Sequence, residues 1–276
     1  MTGDLFGRKG LPAGHSVDRV ISIAENVEET ARQAVHKAHG LRRPSGYLVS
    51  ALLAGAYIAV GEVLLLTAVS PLVAAGSPWV RLVEGAVFPI ALTLVMCTGA
   101  QLFTSNVLVM LVGAFTGRTG RRALVGTWAL CLVGNLLGTL GLAAMAHASG
   151  VTAAPSARAM LHEMLRAKNA LDGGQLFWRA VLCNLLVCLG VWMYFRMRGE
   201  VAKILVLWLP VLVFVAAGFE HCVADMALYA LGLFEGFSTP GELVRNLVFT
   251  VPGNIVGGGL LVGGLNWYVG GAVRSG

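Results

Sequence analysis

The stretch GFEHCVADM, residues 218–226, places Glu220, His221 and Asp225 between two long apolar arms. An ionisable group inside an apolar run is costly, and it usually faces a bundle interior or a transport pathway. An imidazole titrates near neutral pH, so His221 is suited to giving or taking a proton. It also suits a hydrogen-bonded structural role. Haem or metal ligation is disfavoured, because His15, His36, His39, His147 and His162 all fall outside the apolar runs and one imidazole makes a poor metal site. Glu220 and Asp225 suit the capping of half-helices or subunit contacts better than transport, since a carboxylate at a helix start accepts free backbone N–H groups.

A second interruption reads GAQLFTSN, residues 99–106. Gln101, Thr104, Ser105 and Asn106 satisfy freed backbone groups without net charge. Leu102 and Phe103 suit a hydrophobic constriction that excludes hydrated ions. Lys168, in RAKNALDGG, reads either as a solvated lysine or as a cation at a pore mouth that concentrates anions. Asn184 and Asn254 lie inside apolar runs. A buried amide must be hydrogen-bonded, so both are expected at a helix interface or on the pathway.

These residues need elements to carry them. The 276-residue chain is 57% hydrophobic and 12% charged, against about 25% charged in soluble domains. Six apolar runs are expected to span a membrane: 47–70, 83–116, 123–146, 176–195, 201–234 and 244–270. One helix needs roughly 20 residues to cross. The runs 83–116 and 201–234 are too long and carry the two polar interruptions, which predicts broken helices facing protein or a cavity. The apolar residues do not alternate, which excludes a β-barrel. Cys97, Cys131, Cys183, Cys188 and Cys222 all fall in the runs without CxxC spacing and read as small apolar fillers. No cofactor or metal is expected. The net charge of +6 calls for no nucleic-acid partner, because the basic residues flank the runs.

The halves repeat. VGNLLGTLGL at 133–142 matches PGNIVGGGLL at 252–261, and GAQL at 99–102 matches GFEH at 218–221, both at an offset of 119. Three spans per half force the halves into opposite orientations. That predicts a 3+3 inverted repeat with its site where the breaks meet near the midplane. Leu102 is then the counterpart of His221, and Thr104 is close enough to hydrogen-bond the imidazole.

Most of the 20 Lys and Arg residues fall on one side if the N-terminus is cytoplasmic: Arg8, Lys9, Arg19, Arg32, Lys37, Arg42 and Arg43, then Arg118, Arg121, Arg122, Arg196, Arg198, Lys203 and Arg274. Both termini are therefore expected in the cytoplasm. The first 16 residues hold no apolar run, so no signal peptide is expected. Residues 17–39 have an amphipathic helical pattern. The expected units are a cytoplasmic segment 1–45, a first three-helix repeat 46–146, an outer connection 147–175, a second repeat 176–270 and a tail 271–276.

The order of AGAYIAVGE (54–62), GAQLFTSN, VGN (133–135), Lys168, FWRAVLCNLLVCLGVW (177–192), GFEHCVADM and PGNIVGGGLLVG (252–263) resembles the formate/nitrite transporter family over roughly residues 17–270. The resemblance implies an all-α homopentamer in a prokaryotic inner membrane. Each protomer would have six transmembrane helices, an aquaporin-like inverted repeat and its own pore. Partners would be the bilayer, protons and a small anion: nitrite, formate or hydrosulfide. By the same resemblance His221, Thr104, Glu220, Asn184 and Asn254 belong near the centre, Lys168 attracts anions, and Phe88, Leu102, Phe103 and Phe214 form constrictions. Gln101 departs from the acidic residue that many members carry. The segments SGYLVSALLAGAY (45–57) and FPIALTLVMCTGAQLFT (88–104) look closer to the nitrite branch. An aquaporin-like neutral-solute channel shares the topology, but neither break holds an NPA-type motif. A membrane enzyme would need a second polar constellation.

Overall fold

The computed structural model describes residues 20–274, with side chains described to Gly271. The expectations for Arg8, Lys9, Arg19, the start of the amphipathic helix and the tail charge at Arg274 lie outside the described side chains. Every element among the described residues is helical: α1 (Ile23–Gly40), α2 (Pro44–Ala74), α3 (Val80–Val87), α4 (Ile90–Thr98), α5 (Phe103–Phe115), α6 (Arg121–Ser149), α7 (Pro155–Asn169), α8 (Gly173–Arg196), α9 (Glu200–Ala216), α10 (Cys222–Glu235), α11 (Pro240–Asn254), a π-helical stretch Ile255–Gly264, and α12 (Leu265–Arg274). A capping box opens α1: Ser22 Oγ accepts from Glu25 N–H, and Ser22 N–H donates to the Glu25 carboxylate at 2.7 Å.

Among the described residues five segments are long and apolar enough to cross a membrane: Pro44–Ala74, Val80–Thr98, Arg121–Ser149, Gly173–Arg196 and Pro240–Gly271. The run over 201–234, expected to be broken, folds as two helices, α9 and α10, of 17 and 14 residues, and neither is among these five. The run over 83–116 divides likewise at residues 99–102, between α4 and α5. The cause is local at both places. Gly99 and Gly218 adopt φ of 75° and 71°, a left-handed conformation that costs glycine nothing and stops a helix.

Close backbone packing holds the long helices. α2 lies along α6, and α8 lies along α11 and the π-helical stretch. A Cβ on Gly138 would collide with the Leu52 carbonyl oxygen, and one on Gly257 with that of Val181. These two glycines are 119 residues apart and do the same work. The half-helices α5 and α10 fill the centre, with nearly every side chain buried. Each crosses to the other half for support: α5 packs on the π-helical stretch and α10 on α6.

Candidate functional site

The two breaks meet in the middle of the molecule, and each is held by one asparagine. Phe103 N–H donates to Asn135 Oδ1 at 2.9 Å, while Asn135 Nδ2 donates to the carbonyls of Ala51 and Gln101 at 2.8 and 2.9 Å. At the other break Cys222 N–H donates to Asn254 Oδ1 at 2.9 Å, and Asn254 Nδ2 donates to Ala180 and Glu220 carbonyls at 2.8 and 3.0 Å. Broken helices leave backbone groups without partners, and one amide per break supplies both a donor and an acceptor. Asn184 adds a brace, donating to the carbonyls of Asn254 at 2.7 Å and Thr104 at 3.3 Å. Asn184 and Asn254 were expected at a helix interface or on the pathway; both are fully buried, bond the backbone at the breaks and line none of the cavities below.

His221 is the N-cap of α10. Its Nδ1 accepts the Ala224 N–H at 3.0 Å, and its Nε2 lies 2.9 Å from Thr104 Oγ1. An acceptor Nδ1 carries no proton, so the neutral ring carries its hydrogen on Nε2 and donates it to Thr104. The Thr104 hydroxyl proton is then left to donate onward. Both ring nitrogens are engaged.

A narrow cavity of about 10 Å³ lies against His221, lined by Ile58, Phe88, Leu92, Leu102, Val187, Val211 and Phe214. Phe214 stacks on His221 with centroids 5.9 Å apart, and Phe88 meets Phe214 edge-on at 6.2 Å. Phe88, Leu102 and Phe214 thus stand at the constriction. Phe103, expected there, turns away and packs edge-on against Trp128 at 6.3 Å.

A larger cavity opens on each side. One, of about 160 Å³, is lined by Glu62, Arg81, Glu84, Lys168, Arg179, Glu220, His221 and Asp225 among others. The other, of about 470 Å³, includes Glu29, Arg32, His36, Lys37, Gln101, Arg198 and Lys203. We call them the Lys168 and Lys37 vestibules.

The vestibules are built alike but charged differently. α7 folds back so that Lys168 Nζ donates to Glu220 Oε2 at 2.7 Å and Asp225 Oδ1 at 2.8 Å. Burial opposes the ammonium, but the two carboxylates outweigh it and raise its pKa above the ordinary lysine value. Lys168 is therefore a tethered, compensated cation and no solvated lysine. Glu220 serves that tether, and the cap expected of a carboxylate falls to His221. On the other side α1 brings Lys37 Nζ within 2.8 Å of Gln101 Oε1, and Asn106 Nδ2 donates to the same oxygen at 3.3 Å. Gln101 and Asn106 are the counterparts of Glu220 and Asp225 at the offset of 119. Neutral amides replace carboxylates, Lys37 has no ion pair among the described residues, and burial lowers its pKa to about 8.

Sequence reasoning passed over Asn135, Glu62, Glu84 and Lys37. Asn135 lay in the repeated Gly-Asn pair, and Glu62 and Glu84 were acids in apolar runs, which is itself a signal. Lys37 looked like one more charge on an amphipathic helix, and only the fold carries it to the break.

A membrane-embedded helical protein with a polar centre, an apolar constriction beside it and a vestibule on either side is a transport protein. A family model, the formate/nitrite transporter, matches residues 23–268. The chain belongs to that family. It is 37% identical over 239 residues to a probable formate transporter of Methanothermobacter thermautotrophicus, covering 80% of this chain and 87% of that one. It is 34% identical over 255 residues to the nitrite transporter NirC of Salmonella typhimurium, covering 91% of each. Among solved structures it resembles an FNT family ion channel at TM-score 0.83 and 33% identity, over 89% of this chain and 98% of that one. It also resembles a pentameric formate channel with formate bound at TM-score 0.69 and 27% identity, over 83% and 98%.

Proposed function

We propose that this chain passes small monovalent anions, nitrite foremost, across the cytoplasmic membrane of a prokaryote. Six spans form a 3+3 inverted repeat, with both termini cytoplasmic and five copies around an axis. The observation that carries the reading is the Thr104–His221 hydrogen bond at the meeting of the two breaks, beside the apolar constriction. Matched bracing by Asn135 and Asn254 supports the inverted repeat. The likeness to a pentameric channel supports the assembly. Matching over 91% of both chains to a nitrite transporter supports nitrite, and the likeness to a probable formate transporter keeps formate as the second reading.

A bare anion does not cross an apolar constriction, because desolvation is too costly. A hydrogen-bond donor at the centre and a proton on the anion remove that barrier. Thr104, polarised by His221 Nε2–H, donates to the anion. His221 takes part in supplying the proton through a relay, since both its nitrogens are already engaged. Phe88, Leu102 and Phe214 admit the neutral acid. With the proton and the substrate travelling together, the passage is proton-coupled.

Purified protein in liposomes is offered nitrite, formate and hydrosulfide separately at one pH. Nitrite is expected to enter fastest, and His221→Asn, assayed with nitrite across a pH series, to reduce that flux at every pH. Equal rates for all three would sink nitrite preference. Undiminished flux in the variant would sink the central role of His221.

A further inference from the structure

The Lys168 vestibule has a charge problem. Four of its lining groups are carboxyls, Glu62, Glu84, Glu220 and Asp225, against three cations, Arg81, Lys168 and Arg179. Fully ionised, it would be net negative and would repel an anion. One proton held on one carboxyl neutralises it.

The geometry says which carboxyl. Glu84 pairs with Arg81 at 3.3 Å. Glu220 and Asp225 share Lys168. Arg179 donates to the Gly218 carbonyl at 3.3 Å and makes no ion pair with a carboxyl among the described residues. Glu62 is 5% exposed, and its Oε2 has no hydrogen-bond partner among the described residues. Asp225 Oδ2 is also unpartnered, but its other oxygen faces the ammonium. A buried carboxylate oxygen without a donor is heavily penalised, and a carboxylic O–H aimed into the cavity is not.

Position makes the proton useful. Glu62 lies on α2 one turn from Ile58, which lines the constriction, while Glu62 itself lines the vestibule. Arg81 and Glu84 face it from α3, Lys168 from α7, Arg179 from α8, Glu220 and His221 from the break, and Asp225 from α10.

We propose that Glu62 is the proton donor of the Lys168 vestibule. The carboxylic O–H of Glu62 breaks, its electron pair stays on the carboxylate, and the proton bonds to the anion. The resulting neutral acid moves on past Phe214 and Phe88. Glu62 then regains a proton from vestibule water. This rests on the anion-passage reading above.

The test joins a spectrum to a flux. In lipid discs without added anion, the infrared carbonyl stretch of a protonated carboxylic acid is expected in the unaltered protein and lost in Glu62→Gln. In liposomes, Glu62→Gln, which keeps the shape and a hydrogen-bond donor, is expected to lower nitrite flux at least about tenfold and to flatten its pH profile. Glu62→Asp, which keeps an acid, is expected to restore the pH dependence. No such band, a band unchanged by Glu62→Gln, or a Glu62→Gln variant with the original pH profile overturns the assignment. A missing band with normal flux overturns the Glu62 donor alone. No anion flux in the unaltered protein, with the band present, overturns the transport reading and the donor role with it.

Discussion

Lys37 and Lys168 show how one side chain acquires opposite properties from its ligands. Both reach a break from a short helix that precedes a long one, and both end at equivalent positions of the repeat. Carboxylates hold Lys168 charged through the whole neutral range. Amides leave Lys37 to burial alone, so it loses its proton as pH rises through about 8. Below that value the Lys37 vestibule carries the ammonium, and above it the charge is gone. Anion capture from that side is therefore expected to fall between about pH 7 and pH 9. Lys37→Arg, always charged, should remove that alkaline fall. Initial flux rates across this pH range check it, and an unchanged profile in Lys37→Arg would refute the role. The chemistry of His221 was readable from its place in an apolar run. The tautomer was not, because it depends on the Ala224 N–H and on Thr104 arriving from a helix more than a hundred residues away.

At the scale of the element, a broken helix is only as sound as what replaces its missing hydrogen bonds. Asn135 and Asn254 each close one donor and two carbonyls. Asn→Ala at either position strands the buried N–H at the start of the half-helix, at about 1–3 kcal/mol for an unsatisfied group, and takes one hydrogen bond from each of two carbonyls. Asn135→Ala and Asn254→Ala are expected to lower the unfolding temperature in detergent by similar amounts. A loss confined to one of them would argue against equivalent bracing. The two Gly-Asn segments were legible in the sequence as a repeat, and the polar interruptions of the two long runs were legible as breaks. The partners of the asparagines were not legible, since Ala51 and Ala180 carry no signal and contribute only a carbonyl oxygen. The break in the run over 201–234 was legible too, from its length and its polar interruption, but hydropathy does not place the end of one helix at Gly218 or make His221 the cap of the next.

At the scale of the whole molecule, the outer surface is apolar along its long helices. Val125, Val133 and Met145 on α6, Leu205 and Leu209 on α9, and Val244 and Val248 on α11 are all exposed. Lipid or a neighbouring copy must cover that surface, because water does not tolerate so continuous an apolar face. Hydropathy made this legible, but it does not separate lipid from a protein neighbour. Native mass spectrometry from lipid discs is expected to give the mass of five chains, and a monomer under the same conditions would refute the pentamer.

The unequal lining of the two vestibules has an electrical consequence. Among the described residues Arg32, Lys37, Arg198 and Lys203 face one acid, Glu29, in one, while four carboxyls face three cations in the other. Ionic strength screens exposed fixed charge beyond about 8 Å at physiological salt. Salt added at the Lys37 mouth alone therefore weakens anion capture there, and the same salt opposite changes little. With equal concentrations on both sides detailed balance cancels the difference. Under a gradient it does not, and the pore conducts as a resistor whose value depends on the direction of the current.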